Sequence, residues 1–70
     1  MPRTAHLRRF RLARELTKQA LAGLAGVAYD TVRRAEAGQS ISDVSAAKLA
    51  RALKVEVGDL WPELAEERAS

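Results

Sequence analysis

The chain has 70 residues, no cysteine and a formal net charge of +3. A chain of this length makes one small domain burying only about 60% of its unfolded surface, and without thiols neither disulfides nor Cys–zinc sites can staple it. No apolar run approaches the ~18 residues of a membrane span, and MPRTAHLRRF lacks the apolar core of a secretion signal. The absence of cysteine suits a reducing cytoplasm. Residues 1–34 hold eight basic and two acidic side chains, whereas residues 35–70 hold four basic and seven acidic. The two halves therefore carry +6 and −3, which points to one face for a polyanion and another for a different contact.

Thr4 is placed to cap a first helix over residues 5–15, with Leu7 and Phe10 facing the core and Ala13 behind them. Arg8, Arg9 and Arg14 fall on other faces, as phosphate contacts or as a solvated rim; the rim is the plainer account of Arg14. Arg11 borders the apolar stripe and needs a partner if it is buried. Thr17 is the N-cap of a second helix over 18–25, its hydroxyl accepting from the amide of Gln19 or Ala20. Gly26 supplies a left-handed turn, and a third helix follows over 28–37. Ala22 is small where these two helices cross, Val32 and Ala35 share a face, and Leu21 lies on the matching face. Two short helices joined by a tight glycine turn are a helix-turn-helix pattern, whose second helix enters a DNA major groove. Gly23 is costly inside a helix; with Leu24 beside it, a close neighbouring helix or subunit is one account.

Residues 38–41 form a loop, and Ser42 caps a fourth helix over 43–53, with Val44, Ala47, Leu49, Ala50 and Leu53 as its apolar face. Val55 and Val57 lead into a short fifth helix over 57–61, with Leu60 facing in and Pro62 ending it. Trp61 suits either core or interface. Residues 1–4 form an N-terminal arm, 5–61 the domain, and 62–70 an acidic tail.

The chemistry lies on the third helix. Ala28, Tyr29, Asp30, Arg33 and Arg34 stand away from Val32 and Ala35, where a major groove would meet them. Arginine reads guanine bidentately, aspartate accepts from cytosine N4, and tyrosine meets a phosphate or a thymine methyl. Asp30 also precedes Arg34 by four residues, the spacing of an i,i+4 ion pair that could orient Arg34. Lys18 and Gln19 stand at a helix N-terminus, where free amides and the dipole attract a phosphate. Arg8, Thr17, Thr31, Gln39 and Ser40 complete the phosphate-contact candidates. Glu36 ends the third helix, where a carboxylate opposes the dipole; Arg11 is the expected compensating partner in a salt bridge.

The run LRRFR, LTKQALAGLAGVAYDTVRRAEAG and AKLARALKVEVGDLW resembles the phage Cro and lambda-repressor-like helix-turn-helix (XRE) family over residues 5–61. The resemblance rests on Arg11 and Glu36, Leu21-Ala22, Gly26-Val27, Val32, Glu36-x-Gly38 and Leu49-Ala50-x-Ala52-Leu53-x-Val55. It implies an all-α, compact five-helix DNA-binding domain with the helix-turn-helix at helices 2 and 3. It further implies a dimeric transcriptional regulator on a pseudo-palindromic operator, with Lys18 and Gln19 on phosphates, Ala28, Tyr29, Asp30 and Arg34 facing bases, and residues 38–40 holding the backbone. Lys18 stands where that family often has Gln, Ala28 where it has Ser or Thr, Glu15 where Gly is common, and Ile41 where Pro is common.

The leading expectation is thus sequence-specific binding of double-stranded DNA by a homodimer, acting as a bacterial or phage repressor, cytoplasmic and associated with the nucleoid. The alternative is an antitoxin or anti-regulator type of interaction module, binding a protein partner through residues 55–70. An enzyme is excluded by the lack of any converging constellation around the single histidine, His6. No metal site is expected, since there is no thiolate to hold one, and no cofactor, since the glycines at 23 and 26 lack the strand context of a nucleotide loop.

Overall fold

The computed structural model describes residues 6–62. Five helices follow in order: α1 Leu7–Ala13, α2 Lys18–Ala25, α3 Tyr29–Glu36, α4 Asp43–Leu53 and α5 Val57–Leu60. No strand occurs among the described residues. Each helix contributes one apolar row. Leu7 comes from α1, Leu21 and Ala22 from α2, Val32 and Ala35 from α3, and Ala46, Leu49, Ala50 and Leu53 from α4. Leu60 and Trp61 close the core from the α5 end, and Phe10, Leu16, Val27 and Ile41 pack around it. Helix α2 is central and packs on both α3 and α4. Its Ala22 is buried, and a side chain that small lets the neighbouring backbone come near. Trp61 is buried in this core, so it is not an exposed anchor.

Helices this short are marginal alone, so their ends carry much of the specification. Thr17 Oγ1 accepts from the Ala20 N–H at 3.0 Å, Ser42 Oγ from the Ser45 N–H at 3.1 Å, and Asp59 Oδ2 from the Glu56 N–H at 2.9 Å. At the other ends, α1 to α4 close by one device. An N–H reaches the carbonyl five residues back: Leu16 to Arg11 at 3.1 Å, Val27 to Ala22 at 3.1 Å, Gln39 to Arg34 at 2.9 Å and Val55 to Ala50 at 3.0 Å. The residue just before each donor is left-handed, with φ of 55° at Glu15, 74° at Gly26, 83° at Gly38 and 59° at Lys54. Glycine fills two of these positions without strain; Glu15 and Lys54 carry a Cβ against the carbonyl. The His6 N–H donates to the Leu60 carbonyl at 2.9 Å, tying the start of α1 to the end of α5.

Several expected boundaries and faces differ. Helix 1 spans Leu7–Ala13 rather than 5–15, because the chain reverses at Glu15; His6 stands at its N-cap, and Thr4 lies outside the described residues. Ala13 is exposed, since its position falls off the Leu7–Phe10–Arg11 row. Helix α3 starts and stops one residue inside each expected end, with Ala28 and Ala37 as its caps. On α4 the buried row is Ala46, Leu49, Ala50 and Leu53, at i, i+3, i+4 and i+7, which leaves Val44 and Ala47 exposed. Helix α5 ends at Leu60, with Trp61 extended before Pro62. A Cβ built on Gly23 meets nothing within 4 Å, so no neighbouring helix among the described residues explains that glycine. The arm at 1–4 and the tail from 63 lie outside the described residues.

Two substitutions test the strain assigned to the helix ends. Glu15→Gly and Lys54→Gly should each stabilise the domain by about 1 kcal/mol, the left-handed penalty offset partly by glycine's unfolded-state entropy. Each should raise the melting temperature by about 4–8 °C in a domain of this size. Gly23→Ala should add about 0.5–1 kcal/mol, because the helix gains and nothing is displaced. Thermal melts followed by circular dichroism decide all three, and a fall in melting temperature at Glu15→Gly would refute the strain argument.

Candidate nucleic-acid interface

The interface is built outward from Arg11. This residue is buried, and all three of its donor nitrogens are engaged. Nε donates to Glu36 Oε2 at 2.6 Å, Nη2 to Glu36 Oε1 at 3.1 Å, and Nη1 to the Leu16 carbonyl at 2.7 Å. The Arg11 carbonyl in turn accepts from the Leu16 N–H. One residue thus joins α1, the α1–α2 turn and the C-terminus of α3. The hydrogen bond to Glu36 pushes the guanidinium pKa above its ordinary value, against the opposing effect of burial. Arg11 and Glu36, the pair expected from the dipole argument, meet as a bidentate fork with side chains 8% and 7% exposed. The positive group also offsets the carboxylate at the negative end of α3.

With its inner row fixed in this way, α3 turns its other residues outward. Ala28, Tyr29, Asp30, Arg33 and Arg34 are all exposed, and Thr31 is half-buried. At about 100° per residue, Asp30 lies opposite the Val32–Ala35 row, Arg33 falls on the Glu36 side and Arg34 on the far side. Asp30 holds both arginines. Arg33 Nε and Nη2 donate to its Oδ1 at 2.9 and 2.6 Å, and Arg34 Nε lies 3.0 Å from its Oδ2. The hydrogen bonds from Arg33 hold the Asp30 carboxyl below the usual carboxylate range. Any stability this brings is present above the ordinary carboxylate pKa and fades as pH falls through the lowered one.

Beside this face is a cavity of about 370 Å³ lined by Arg8, Arg11, Lys18, Arg33, Glu36 and Ala37. Arg11 and Glu36 cancel, so Arg8, Lys18 and Arg33 give the cavity its charge. The N-terminus of α2 opens beside it. Thr17 Oγ1 caps the Ala20 amide, leaving the amides of Lys18 and Gln19 at the open end of the helix. Among the phosphate-contact candidates, the structure therefore brings Arg8 and Lys18 together. Thr17 and Gln19 flank Lys18, while Gln39 and Ser40 sit exposed in the α3–α4 loop.

Arg33, expected among the base readers, lines the cavity with Arg8 and Lys18. It also pairs with Asp30 at i,i+3, in addition to the expected i,i+4 partner of Asp30, Arg34. The signal was available: Arg33 lies three residues before Glu36, and that spacing turns it toward α1. Arg9 and Arg14 have their own place, with guanidinium carbons 5.7 and 5.5 Å from the Phe10 ring centroid.

A five-helix domain with a left-handed glycine between α2 and α3, and a basic, exposed outer face on α3, is a helix-turn-helix of the DNA-binding kind. The sequence model of the Cro/C1-type helix-turn-helix (XRE) family matches residues 7–60, and the chain belongs to that family. Membership implies DNA binding and a part in transcriptional regulation, in a family not known for enzymatic activity. No curated protein and no solved structure matches the chain. Among the described residues no helix is long and apolar enough to cross a membrane.

Removing one member of the buried pair leaves the other charge uncompensated. Glu36→Gln or Arg11→Met should each cost about 3–5 kcal/mol, a large share of the roughly 4–10 kcal/mol expected of a domain this size. The double substitution should cost clearly less than the two single losses added together. Urea unfolding of the four proteins measures the coupling, and simple additivity would mean that the pair is not a unit.

Proposed function

We propose that this domain is a sequence-specific double-stranded DNA-binding repressor. It acts as a homodimer on a pseudo-palindromic operator, in the cytoplasm and on the nucleoid. The observation that carries the reading is the juxtaposition on one side of the molecule of the exposed face of α3 with the basic cavity of Arg8, Lys18 and Arg33. Helix α3 lies in the major groove with Tyr29, Asp30 and Arg34 toward the bases, and the small side chain of Ala28 lets the helix start come close to a base edge. Thr17, Lys18, Gln19, Thr31, Gln39, Ser40 and Arg8 meet the sugar–phosphate backbone and set the register. Two copies place their third helices in successive major grooves about 34 Å apart, and occupancy of the operator then excludes the transcription machinery. The basic N-terminal half supports the polyanion partner through long-range steering.

Selection of bound sequences from a random duplex pool tests the reading, with a two-fold symmetric consensus expected. Recovery of no consensus would remove sequence specificity. With the selected site in hand, Arg34→Ala should lose discrimination at one base pair by about 1–3 kcal/mol. Lys18→Ala should weaken every sequence alike and lower the salt slope by about 0.9. Equal losses on every sequence for both variants would overturn this division of roles.

A further inference from the structure

We propose that Asp30 is a specificity-determining positioning residue that divides the two arginines of α3 between two tasks: Arg33 leaves it for a DNA backbone phosphate at the Arg8–Lys18 cavity, while Arg34 stays paired and meets a base. The proposal rests on the DNA-binding reading above and deepens it.

The geometry separates the arginines. Each carboxylate oxygen serves one of them, Oδ1 taking both contacts from Arg33 and Oδ2 the single contact from Arg34. Only Arg33 of the two lines the cavity; Arg34 lies on the other side of the Asp30 row. With Arg11 satisfied by Glu36 and Leu16, an anion entering the cavity meets Arg8 and Lys18 first and has Arg33 within the same wall. A phosphate competes with Asp30 for Arg33 on favourable ground. It offers several charged oxygens where Asp30 gives Arg33 only Oδ1, and it stands between two further cations that Asp30 lacks.

Exchange is also cheap. The side chains of Asp30, Arg33 and Arg34 are 54%, 50% and 55% exposed, and ion pairs so exposed contribute little. Losing Arg33 does not leave Asp30 bare next to DNA, since Arg34 remains on Oδ2. Arg34 is in turn held at a defined angle when it meets a base, which is what bidentate readout needs. On a wrong sequence the Asp30–Arg33 pair is still broken, and a carboxylate still approaches the phosphates, but Arg34 gains no base in return. Asp30 therefore penalises non-specific binding more than specific binding, which is how discrimination arises from a repulsive element.

Two arms test this. The first uses no DNA. Inorganic phosphate is titrated into the 15N-labelled protein while the arginine Nε–H resonances are followed. The Arg33 Nε–H should shift and the Arg34 Nε–H should not. Arg8→Ala should abolish the shift, and Asp30→Asn should tighten phosphate binding about three-fold, as removal of an exposed competing pair allows. Equal shifts at both arginines, or no shift at Arg33, would overturn the division of tasks.

The second arm compares the selected duplex with a scrambled one. Asp30→Asn should bind the scrambled duplex about three-fold more tightly and the selected duplex about equally, so the specificity ratio falls. Arg33→Lys should retain most affinity, because a phosphate accepts a point charge, whereas Arg34→Lys should lose discrimination. An unchanged ratio in Asp30→Asn, or equal weakening on both duplexes, would refute the proposal. Melting curves of Asp30→Asn should match those of the parent chain, which separates positioning from folding. If the parent chain shows no duplex preference at all, the DNA reading fails by itself, and the phosphate arm still decides whether Asp30 and the cavity compete for Arg33.

Discussion

The bidentate contact between Arg11 and Glu36 is the constraint on which the remaining geometry depends. A buried charge pair is not in itself a source of stability, because desolvation of both ions cancels most of the attraction. What it supplies here is uniqueness. The guanidinium fork accepts only one relative placement of α1 and α3, and its remaining nitrogen fixes the Leu16 carbonyl at 2.7 Å. An apolar pair could slide by a fraction of a turn; this one cannot without leaving a charge unpaired. The angle of α3 against the body of the domain, and with it the direction of Tyr29, Asp30 and Arg34, follows from a contact at its C-terminal end, on the edge that faces α1.

The second constraint is how briefly each helix runs. Four helix ends are closed by the same reversal, and the left-handed residues Glu15, Gly26, Gly38 and Lys54 fall where the chain must turn back on its core. The reversal at Glu15 and the Arg11 fork are one unit: the Arg11 carbonyl accepts from the Leu16 N–H while the Arg11 side chain donates to the Leu16 carbonyl. A non-glycine residue tolerates positive φ there because both backbone groups of the next residue are held, so the surroundings over-determine the turn. The reversal at Gly26 sets the step between α2 and α3 that the helix-turn-helix requires.

Most of the fold was legible in the sequence because caps and glycines mark the ends of these helices and the apolar period marks their inner faces. Thr17, Gly26 and Ser42 each signalled a boundary that the structure shares. The start of α1 is not legible in the sequence: Thr4 has the chemistry of a cap, whereas α1 begins after His6, whose N–H is tied to α5, a long-range contact with no local signature. The inner face of α4 was misread for a related reason. Alanines occur on both of its faces, so Ala46 and Ala47 differ only through what packs against them. At the interface, charge and residue type identified the outer face of α3 and the partners Arg11 and Glu36. The separation of Arg33 from Arg34 was harder to see, since it depends on α1 standing beside one edge of α3.

The two carboxylates of α3 that pair with arginine, Glu36 and Asp30, thus behave differently for one physical reason, their exposure to water. Arg11–Glu36, with side chains 8% and 7% exposed, is largely shielded from salt and solvent. The Asp30 contacts, with side chains half exposed, are screened and open to exchange with any anion that approaches from outside. The inner contact keeps α3 in place while the outer contacts rearrange, and that order is necessary. A reader whose orientation depended on the same charges that engage DNA would lose its aim on binding. Giving the two tasks to different carboxylates, one buried and one exposed, lets α3 be rigid in position and adaptable in charge.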